Sequence, residues 1–108
     1  MRMWNVPPEI LCNQHLLGEH VEMHMFAGSI NKGISIKGYI KKGLVEPGKI
    51  EERHAELVIE MERRGMNHQS PLPRIKKNGY GKGHVDITQS LNTLMRRCAR
   101  CRKRMAEA

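Results

Sequence analysis

Residues 9–27, EILCNQHLLGEHVEMHMFA, predict the first helix of the chain. Pro7 and Pro8 come just before it, where a helix tolerates proline, and no proline interrupts it. At about 100° per residue, its apolar side chains fall on two faces, Leu17, Val21 and Met25 on one and Leu16, Met23 and Ala27 on the other. Two apolar faces predict a helix packed between neighbours.

Polar side chains form two further stripes on the same helix. One contains His15, Glu19 and Glu22, and the other contains Asn13, His20 and His24. Carboxylates and imidazoles are unusual on a central helix, because charged groups are rarely buried without partners. Because offsets of 3, 4 and 7 residues return to one helix face, we expect His15, Glu19 and Glu22 to line one cavity.

A second helix is predicted after Pro47 and Gly48, with Gly65 ending it. Its apolar stripe is Ile50, His54, Leu57, Val58 and Met61, and its other face carries Glu and Arg, which we expect to be solvated. Before it, residues 28–48 are glycine-rich and basic, with a possible short helix at residues 40–44.

A third helix is predicted where Asp86, with Gln89 three residues on, resembles a capping box. Its apolar stripe is Ile87, Leu91, Leu94, Met95 and Cys98. Residues 67–84, with two prolines, three glycines and Arg74, Lys76, Lys77 and Lys82, predict an irregular basic loop. The fold class is therefore all-α, a single small domain over residues 1–108 with three main helices and long basic connecting loops.

The charge of the chain indicates a polyanionic partner. The sequence has 19 Lys and Arg against 11 Asp and Glu, a formal net charge of +8, and the run at residues 96–104 is densely cationic. Nucleic acid is the expected partner. No apolar run reaches the ~18 residues that span a bilayer, so we expect an intracellular protein without membrane contact. The three cysteines are an odd number, and we expect them to remain free thiols in the reducing interior of a cell. We also expect the protein to be a monomer.

The segment NQHLLGEHVEMH, residues 13–24, together with Met1 and Arg2, resembles the pyrimidine-dimer DNA glycosylase family of the bacteriophage endonuclease V type. KIEERHAELVIEMERRGMN, residues 49–67, is similar to that family's second helix. The resemblance implies a DNA glycosylase and/or abasic-site lyase acting on double-stranded DNA with a damaged base or an abasic site. It also implies that the catalytic groups are the α-amine of Met1 and the carboxylate of Glu22.

The implied chemistry suits those two groups. An α-amine has a reference pKa of about 7.7 to 8.0, so it supplies a neutral nucleophile near pH 7, unlike a lysine such as Lys77 or Lys82. A neighbouring carboxylate stabilises the iminium and accepts the proton lost in β-elimination, without metal or cofactor. Because Arg2 is bulky, we expect Met1 to be retained.

The same resemblance implies further DNA or substrate contacts. Gln14 and His15 would contact DNA near the lesion with Glu19 beside them, Arg2 would meet a phosphate, and Arg97 corresponds to a cationic residue of the third helix. In dimer-repairing members, arginines flank the catalytic glutamate, whereas Val21 and Met25 stand here. The aromatic, basic C-terminal tail of those members is also missing, so the departures weaken the expectation of pyrimidine-dimer specificity.

Two other functions compete with the enzyme hypothesis. The lost arginines and tail would suit a non-catalytic DNA-binding module on the same scaffold. A metal-dependent protein would use His20 and His24 with Cys98 and Cys101, but one C-x-x-C without a second pair is a weak signal, so we predict no metal ligands. We predict that Trp4 is a core anchor for the N-terminus rather than a base-stacking platform.

Overall fold

In the computed structural model, which describes residues 1–76 and 82–108, the chain forms five α-helices and, within those residues, no β-strand. The helices are α1 (Asn13–Asn31), α2 (Lys37–Lys41), α3 (Ile50–Arg63), α4 (Ile87–Arg97) and α5 (Ala99–Glu107). Short 3-10 turns at Pro8–Ile10 and Pro47–Lys49 precede α1 and α3. The all-α prediction is confirmed, and none of the described helices has the length and apolarity needed to cross a membrane.

The core lies between α1 and α3, which pack along each other. The face of α1 with Leu16, Met23 and Ala27 is fully buried, as predicted. The second predicted apolar face is wrong, because Leu17, Val21 and Met25 are 42%, 53% and 50% exposed. Helix α1 therefore packs through one apolar face and presents the other to solvent.

The ends of the first two helices show which side chains stop and start them. Residues 9–27 are not one helix, because the chain is extended at Leu11 and Cys12, and the Cys12 side chain caps α1 by accepting the His15 N–H. Helix α3 ends as predicted at Gly65, whose φ of 79° permits the Met66 N–H to bond the Met61 carbonyl.

The predicted third helix is two helices. Asp86 caps α4 by accepting the Gln89 N–H, as expected, but the backbone is extended at Cys98, and α5 starts there with the Cys98 side chain as its cap. On the predicted apolar stripe, Leu94 is buried, whereas Ile87 is 49% exposed. The short helix lies at Lys37–Lys41, so it begins three residues earlier than predicted and shares only residues 40 and 41 with the predicted range. The described part of residues 67–84 has no helix or strand.

The N-terminal segment, residues 1–7, has no regular structure, yet it runs through the core. The side chains of Met3, Trp4 and Val6 are buried. The Met3 N–H donates to the Leu44 carbonyl at 2.6 Å, and the Ser90 hydroxyl of α4 donates to the Trp4 carbonyl at 2.6 Å. The prediction that Trp4 anchors the N-terminus in the core is confirmed.

Candidate active site

A surface cavity of about 620 Å³ lies where the N-terminal segment, α1 and the end of α4 meet. All seven predicted site residues line it, including Arg97, which is far away in sequence. The full lining is Met1, Arg2, Trp4, Gln14, His15, Gly18, Glu19, Glu22, Leu44 and Arg97. The prediction that His15, Glu19 and Glu22 share one cavity is confirmed by this geometry.

Glu22 lies on the wall of the cavity in a partly desolvated position. Burial raises the pKa of its carboxyl above the ordinary value, and the neighbouring Glu19 adds to the rise. The backbone N–H of Arg2 and the positive charge of the Met1 amine oppose it. The carboxyl group of Glu22 therefore interacts electrostatically with the α-amine of Met1, and both residues line the cavity.

Glu19 is 1% exposed, and its carboxylate is fully engaged within the protein. Arg53 of α3 donates to both of its oxygens, and the Trp4 N–H donates to Oε2 at 3.1 Å. The Asn5 N–H points at the same oxygen at 3.5 Å, which the left-handed φ of 59° at Asn5 allows. Glu19 thereby fixes the N-terminal segment whose first residue bears the amine.

Two guanidinium groups give the cavity an anion-attracting side. The Arg2 guanidinium stacks 3.8 Å above the centre of the Trp4 ring, and its Nε is buried without a hydrogen-bond partner. Burial lowers the pKa of Arg2, and the nearby charge of Arg97 lowers it further. Like charges held together beside an unpaired N–H are the arrangement that a phosphate would satisfy.

Gln14 and His15 occupy the α1 side of the cavity and differ in how they are held. Gln14 is exposed, whereas His15 is half-buried with its ring edge against the Trp4 ring, 5.8 Å between centres. His15 Nδ1 lies 3.2 Å from Cys12 Sγ, and burial lowers the pKa of His15. One edge of the His15 ring therefore faces sulfur while the residue lines the cavity.

The predicted basic surfaces are partly committed to holding the fold. In the cationic run at residues 96–104, the Arg102 guanidinium donates to the Met95 carbonyl at 2.6 Å, and Arg104 donates to the Glu9 carbonyl at 3.0 Å. In the basic loop, Lys82 is exposed, and Lys77 lies outside the described residues. Arg97 is the member of the cationic run that lines the cavity.

The buried position of Arg53 and two clusters of potential metal ligands were not predicted from the sequence. Arg53 was expected on a solvated face but is 2% exposed, because its partner Glu19 lies inside the protein, and Glu60 on the same helix is also buried. The clusters are Cys12, His15, Cys98 and Cys101, and His20, His24, His54 and His68. The repeated spacing C-x-x-H and C-x-x-C was the sequence signal for the first.

A family model described as pyrimidine dimer DNA glycosylase matches residues 1–74, more than half of the chain. The chain belongs to the pyrimidine dimer DNA glycosylase family. The matched region contains every predicted site residue except Arg97, so it covers the N-terminal segment and α1, which line most of the cavity, as well as α3. No curated protein and no solved structure matches the chain.

Membership of a DNA glycosylase family agrees with the charge of the molecule and makes DNA the partner that the family indicates. The part of the chain beyond the matched region contributes Arg97 to the cavity and Cys98 and Cys101 to the first cluster. The cavity is thus completed by Arg97 at the end of α4, which lies beyond the region that the family model matches.

Proposed function

We propose that this chain is a DNA glycosylase with abasic-site lyase activity, in which the α-amine of Met1 is the nucleophile and Glu22 is the acid/base. The observation that carries the proposal is that both groups line one cavity and interact electrostatically across it. A nucleophile beside a carboxylate, with guanidinium groups at the rim, is the set of groups that this reaction needs.

In the glycosylase step, the nitrogen lone pair of Met1 attacks the sugar C1′. The bond from C1′ to the base breaks, and its electron pair leaves with the base, which takes up a proton. Loss of a proton from the attached nitrogen and opening of the sugar ring then give an iminium ion. The Glu22 carboxylate, beside the new positive charge, stabilises it. At an existing abasic site, the amine condenses with the C1′ aldehyde and water leaves instead.

In the lyase step, the Glu22 carboxylate removes a proton from C2′. The electrons of that C–H bond form the C2′–C3′ double bond, and the C3′–O bond breaks, so that the 3′ phosphate departs with its electron pair. Water then hydrolyses the imine and restores the amine. The raised pKa of Glu22 suits this step, because a carboxylate that is partly desolvated is a stronger base than an exposed one.

The remaining residues of the cavity have binding and positioning roles in this proposal. Arg2 and Arg97 hold phosphates beside the lesion, and Gln14 and His15 contact the nucleotide. Glu19, with its oxygens engaged by Arg53 and backbone N–H groups, is a positioning residue for the N-terminal segment. The proposed substrate is double-stranded DNA with a damaged base or an abasic site, bound by one copy of the chain.

Borohydride trapping on abasic duplex DNA tests the proposal directly, because reduction of the iminium gives a stable covalent adduct. We expect the adduct with the wild type, and peptide mapping should place it at Met1. Acetylation of the α-amine should abolish trapping while leaving DNA binding intact. The matched control is Lys82→Ala, which removes an exposed amine of the basic loop and should trap normally.

Linkage of the adduct at a lysine would overturn the assignment of Met1. Binding of abasic DNA with neither an adduct nor strand cleavage would instead favour a non-catalytic DNA-binding module. The exposed Val21 and Met25, which replace the arginines of dimer-repairing relatives beside Glu22, make the identity of the excised base a separate question. A panel of duplexes with defined lesions, including a pyrimidine dimer, would answer it.

A further inference from the structure

All three cysteines of the chain meet at one place, where the start of α1 packs against the start of α5. Cys12 Sγ lies 3.8 Å from Cys98 Sγ, and His15 Nδ1 lies 3.2 Å from Cys12 Sγ and 3.6 Å from Cys101 Sγ. The four ligand atoms all lie within 4.8 Å of one another. Residues separated by more than 80 positions in sequence thus present three sulfurs and one nitrogen to a common centre.

Two of these three spacings match a tetrahedral zinc site, and the third, 3.2 Å between His15 Nδ1 and Cys12 Sγ, is shorter than such a site gives. With Zn–S of about 2.3 Å and Zn–N of about 2.0 to 2.1 Å, tetrahedral geometry places two sulfurs about 3.8 Å apart and sulfur about 3.6 Å from nitrogen. The Cys12–Cys98 and His15–Cys101 distances are 3.8 and 3.6 Å. The sequence pattern, C-x-x-H at residues 12–15 and C-x-x-C at residues 98–101, is also that of paired zinc-binding turns.

The backbone prepares both halves of the cluster in the same way. Cys12 is the N-cap of α1 and accepts the His15 N–H, while Cys98 is the N-cap of α5 and accepts the Cys101 N–H. In each half, the cap and the residue three positions later are the two ligands. The Cys12 N–H also donates to Cys101 Sγ at 3.2 Å. Each of the three sulfurs thus accepts a backbone N–H, which fixes its position in the cluster.

We propose that Cys12, His15, Cys98 and Cys101 bind a structural zinc ion. Three thiolates and one imidazole fill the tetrahedron, so no coordination position is left for substrate. The ion would hold α5 against the start of α1 and lock His15, whose ring contacts Trp4, the residue on which the Arg2 guanidinium stacks. The zinc ion would thereby fix the position of His15 in the cavity wall without taking part in the reaction itself.

Metal analysis of the protein, purified without chelator, tests this site. After replacement of zinc by Co²⁺, we expect absorption from thiolate-to-cobalt charge transfer, and X-ray absorption of the zinc protein should show sulfur ligands at about 2.3 Å. Cys98→Ser should lose one metal equivalent per chain and the charge-transfer band. The matched control is Ser90→Ala, which alters a buried side chain of α4 outside the cluster.

A wild-type protein that contains no zinc and gives no charge-transfer band with Co²⁺ would overturn the proposal. These two measurements are made on the wild type, so they decide the question even if Cys98→Ser does not fold. Retention of the full metal content and of the charge-transfer band by Cys98→Ser would equally overturn it.

A second cluster carries an independent inference. His20 and His24 of α1, His54 of α3 and His68 of the following loop gather between the two long helices, with neighbouring ring centres 4.8 to 5.4 Å apart. The Nε2 atoms of all four are buried without a hydrogen-bond partner. Four unpaired polar atoms at one place in a core are costly unless they share a ligand.

The ring positions of the cluster match those around a tetrahedral metal ion. Imidazoles bound through Nε2 to one tetrahedral ion, at about 2.0 to 2.1 Å, place their ring centres about 5 Å apart. His54 is bonded to the backbone of Ser70, and because its Nε2 is unpartnered, Nδ1 must make that bond and leave Nε2 free as a ligand.

We infer that His20, His24, His54 and His68 bind a second divalent ion of the kind that prefers imidazole, and zinc is the probe we would use. The wild type should then bind two zinc ions per chain, and His24→Gln should bind one. His84→Gln is the matched control, because His84 is exposed and is the one histidine of the six outside both clusters.

Titration with Co²⁺ separates the two sites. The second site should add absorption from tetrahedral cobalt without a thiolate band, and this component should vanish in His24→Gln but persist in Cys98→Ser. Zinc addition should also shift the ring ¹⁵N signals of the four histidines in the wild type. A wild type without this thiolate-free cobalt component, or ring signals that do not move, would overturn the inference.

Discussion

Arg53 holds both carboxylate oxygens of Glu19 inside the protein, with 2.6 Å from Nε to Oε2 and 2.9 Å from Nη2 to Oε1. The pair joins α3 to α1, and because Oε2 also accepts the Trp4 N–H, it joins both helices to the N-terminal segment. Breaking this pair is therefore expected to affect both stability and the placement of the Met1 amine.

Arg53→Met should lower the free energy of unfolding by about 3–5 kcal/mol, because it leaves the Glu19 carboxylate buried without its cation. Glu56→Gln is the control, since Glu56 is a half-exposed partner of the same arginine, and its loss should cost at most about 1 kcal/mol. Urea unfolding measures both variants, and equal effects would contradict the central role of Glu19.

Glu22→Gln should reduce cleavage at abasic sites by orders of magnitude without loss of stability at pH 7. Folding raises the pKa of Glu22 above 4.5, so the folded state binds this proton more tightly and the ionised form opposes folding at higher pH. The variant should therefore be at least as stable as the wild type at pH 7, and the difference should vanish as pH falls below about 4.5. Urea unfolding at several pH values checks this, and a variant that is less stable at pH 7 would contradict it.

Arg97→Ala should weaken DNA binding and reduce the slope of log affinity against log salt by about 1, because one phosphate contact is lost. Arg63→Ala removes the same charge from α3, where Arg63 is paired with Glu60 outside the cavity, and should leave that slope nearly unchanged. Fluorescence anisotropy on undamaged duplexes at several salt concentrations distinguishes the two. Identical slopes would indicate that net charge, rather than position, determines binding.

Gly83→Ala should destabilise the fold, because a side chain there would meet the backbone of Val45 and come within 2.9 Å of the Pro47 ring. Overpacking of this kind typically costs about 1–3 kcal/mol. Gly48→Ala is the matched control, since nothing lies within 4 Å of a side-chain carbon added at Gly48. Thermal unfolding of both variants measures the difference, and a harmless Gly83→Ala would show that the residues around 83 do not pack against Val45.

Introducing arginine at both Val21 and Met25 should strengthen DNA binding without loss of fold. Both side chains are half-exposed on the face of α1 that continues from Glu22, so the longer side chains have room. Two added charges should increase the salt slope by about 2 if both meet phosphate. The lesion panel would show whether cleavage of pyrimidine dimers rises with affinity, and an unchanged affinity would place this face away from DNA.

Local signals in the sequence predicted those features that depend on neighbouring residues. The Gly65 stop, the Asp86 cap and the buried face around Leu16 follow from turn geometry, side-chain capping and helical periodicity. The shared cavity of His15, Glu19 and Glu22 likewise required only the spacing along one helix. Each of these features depends on residues within one or two helical turns of one another. Over that range, the spacing in the sequence determines the relative positions of the side chains.

Features that depend on distant pairing were not predictable in this way. Periodicity cannot tell which of two apolar faces finds a neighbour, so Leu17, Val21 and Met25 were wrongly expected to be buried. In the sequence, Arg53 cannot be distinguished from the exposed charged residues beside it, because its partner Glu19 is 34 positions away. The break between α4 and α5 lies at Cys98, whose side chain caps α5 and contacts Cys12. The local helical pattern of the sequence does not predict that contact.

Several contacts of the N-terminal segment and the start of α1 join residues that are far apart in the sequence. Trp4 bonds Ser90 across 86 positions, Cys12 bonds Cys101 across 89, and Glu9 bonds Arg104 across 95. Trp4 therefore lacks its Ser90 partner until a segment far along the sequence has folded against it, and long-range closure of this kind slows folding. The amine proposed as the nucleophile, three residues before Trp4, is therefore expected to reach its position late in folding.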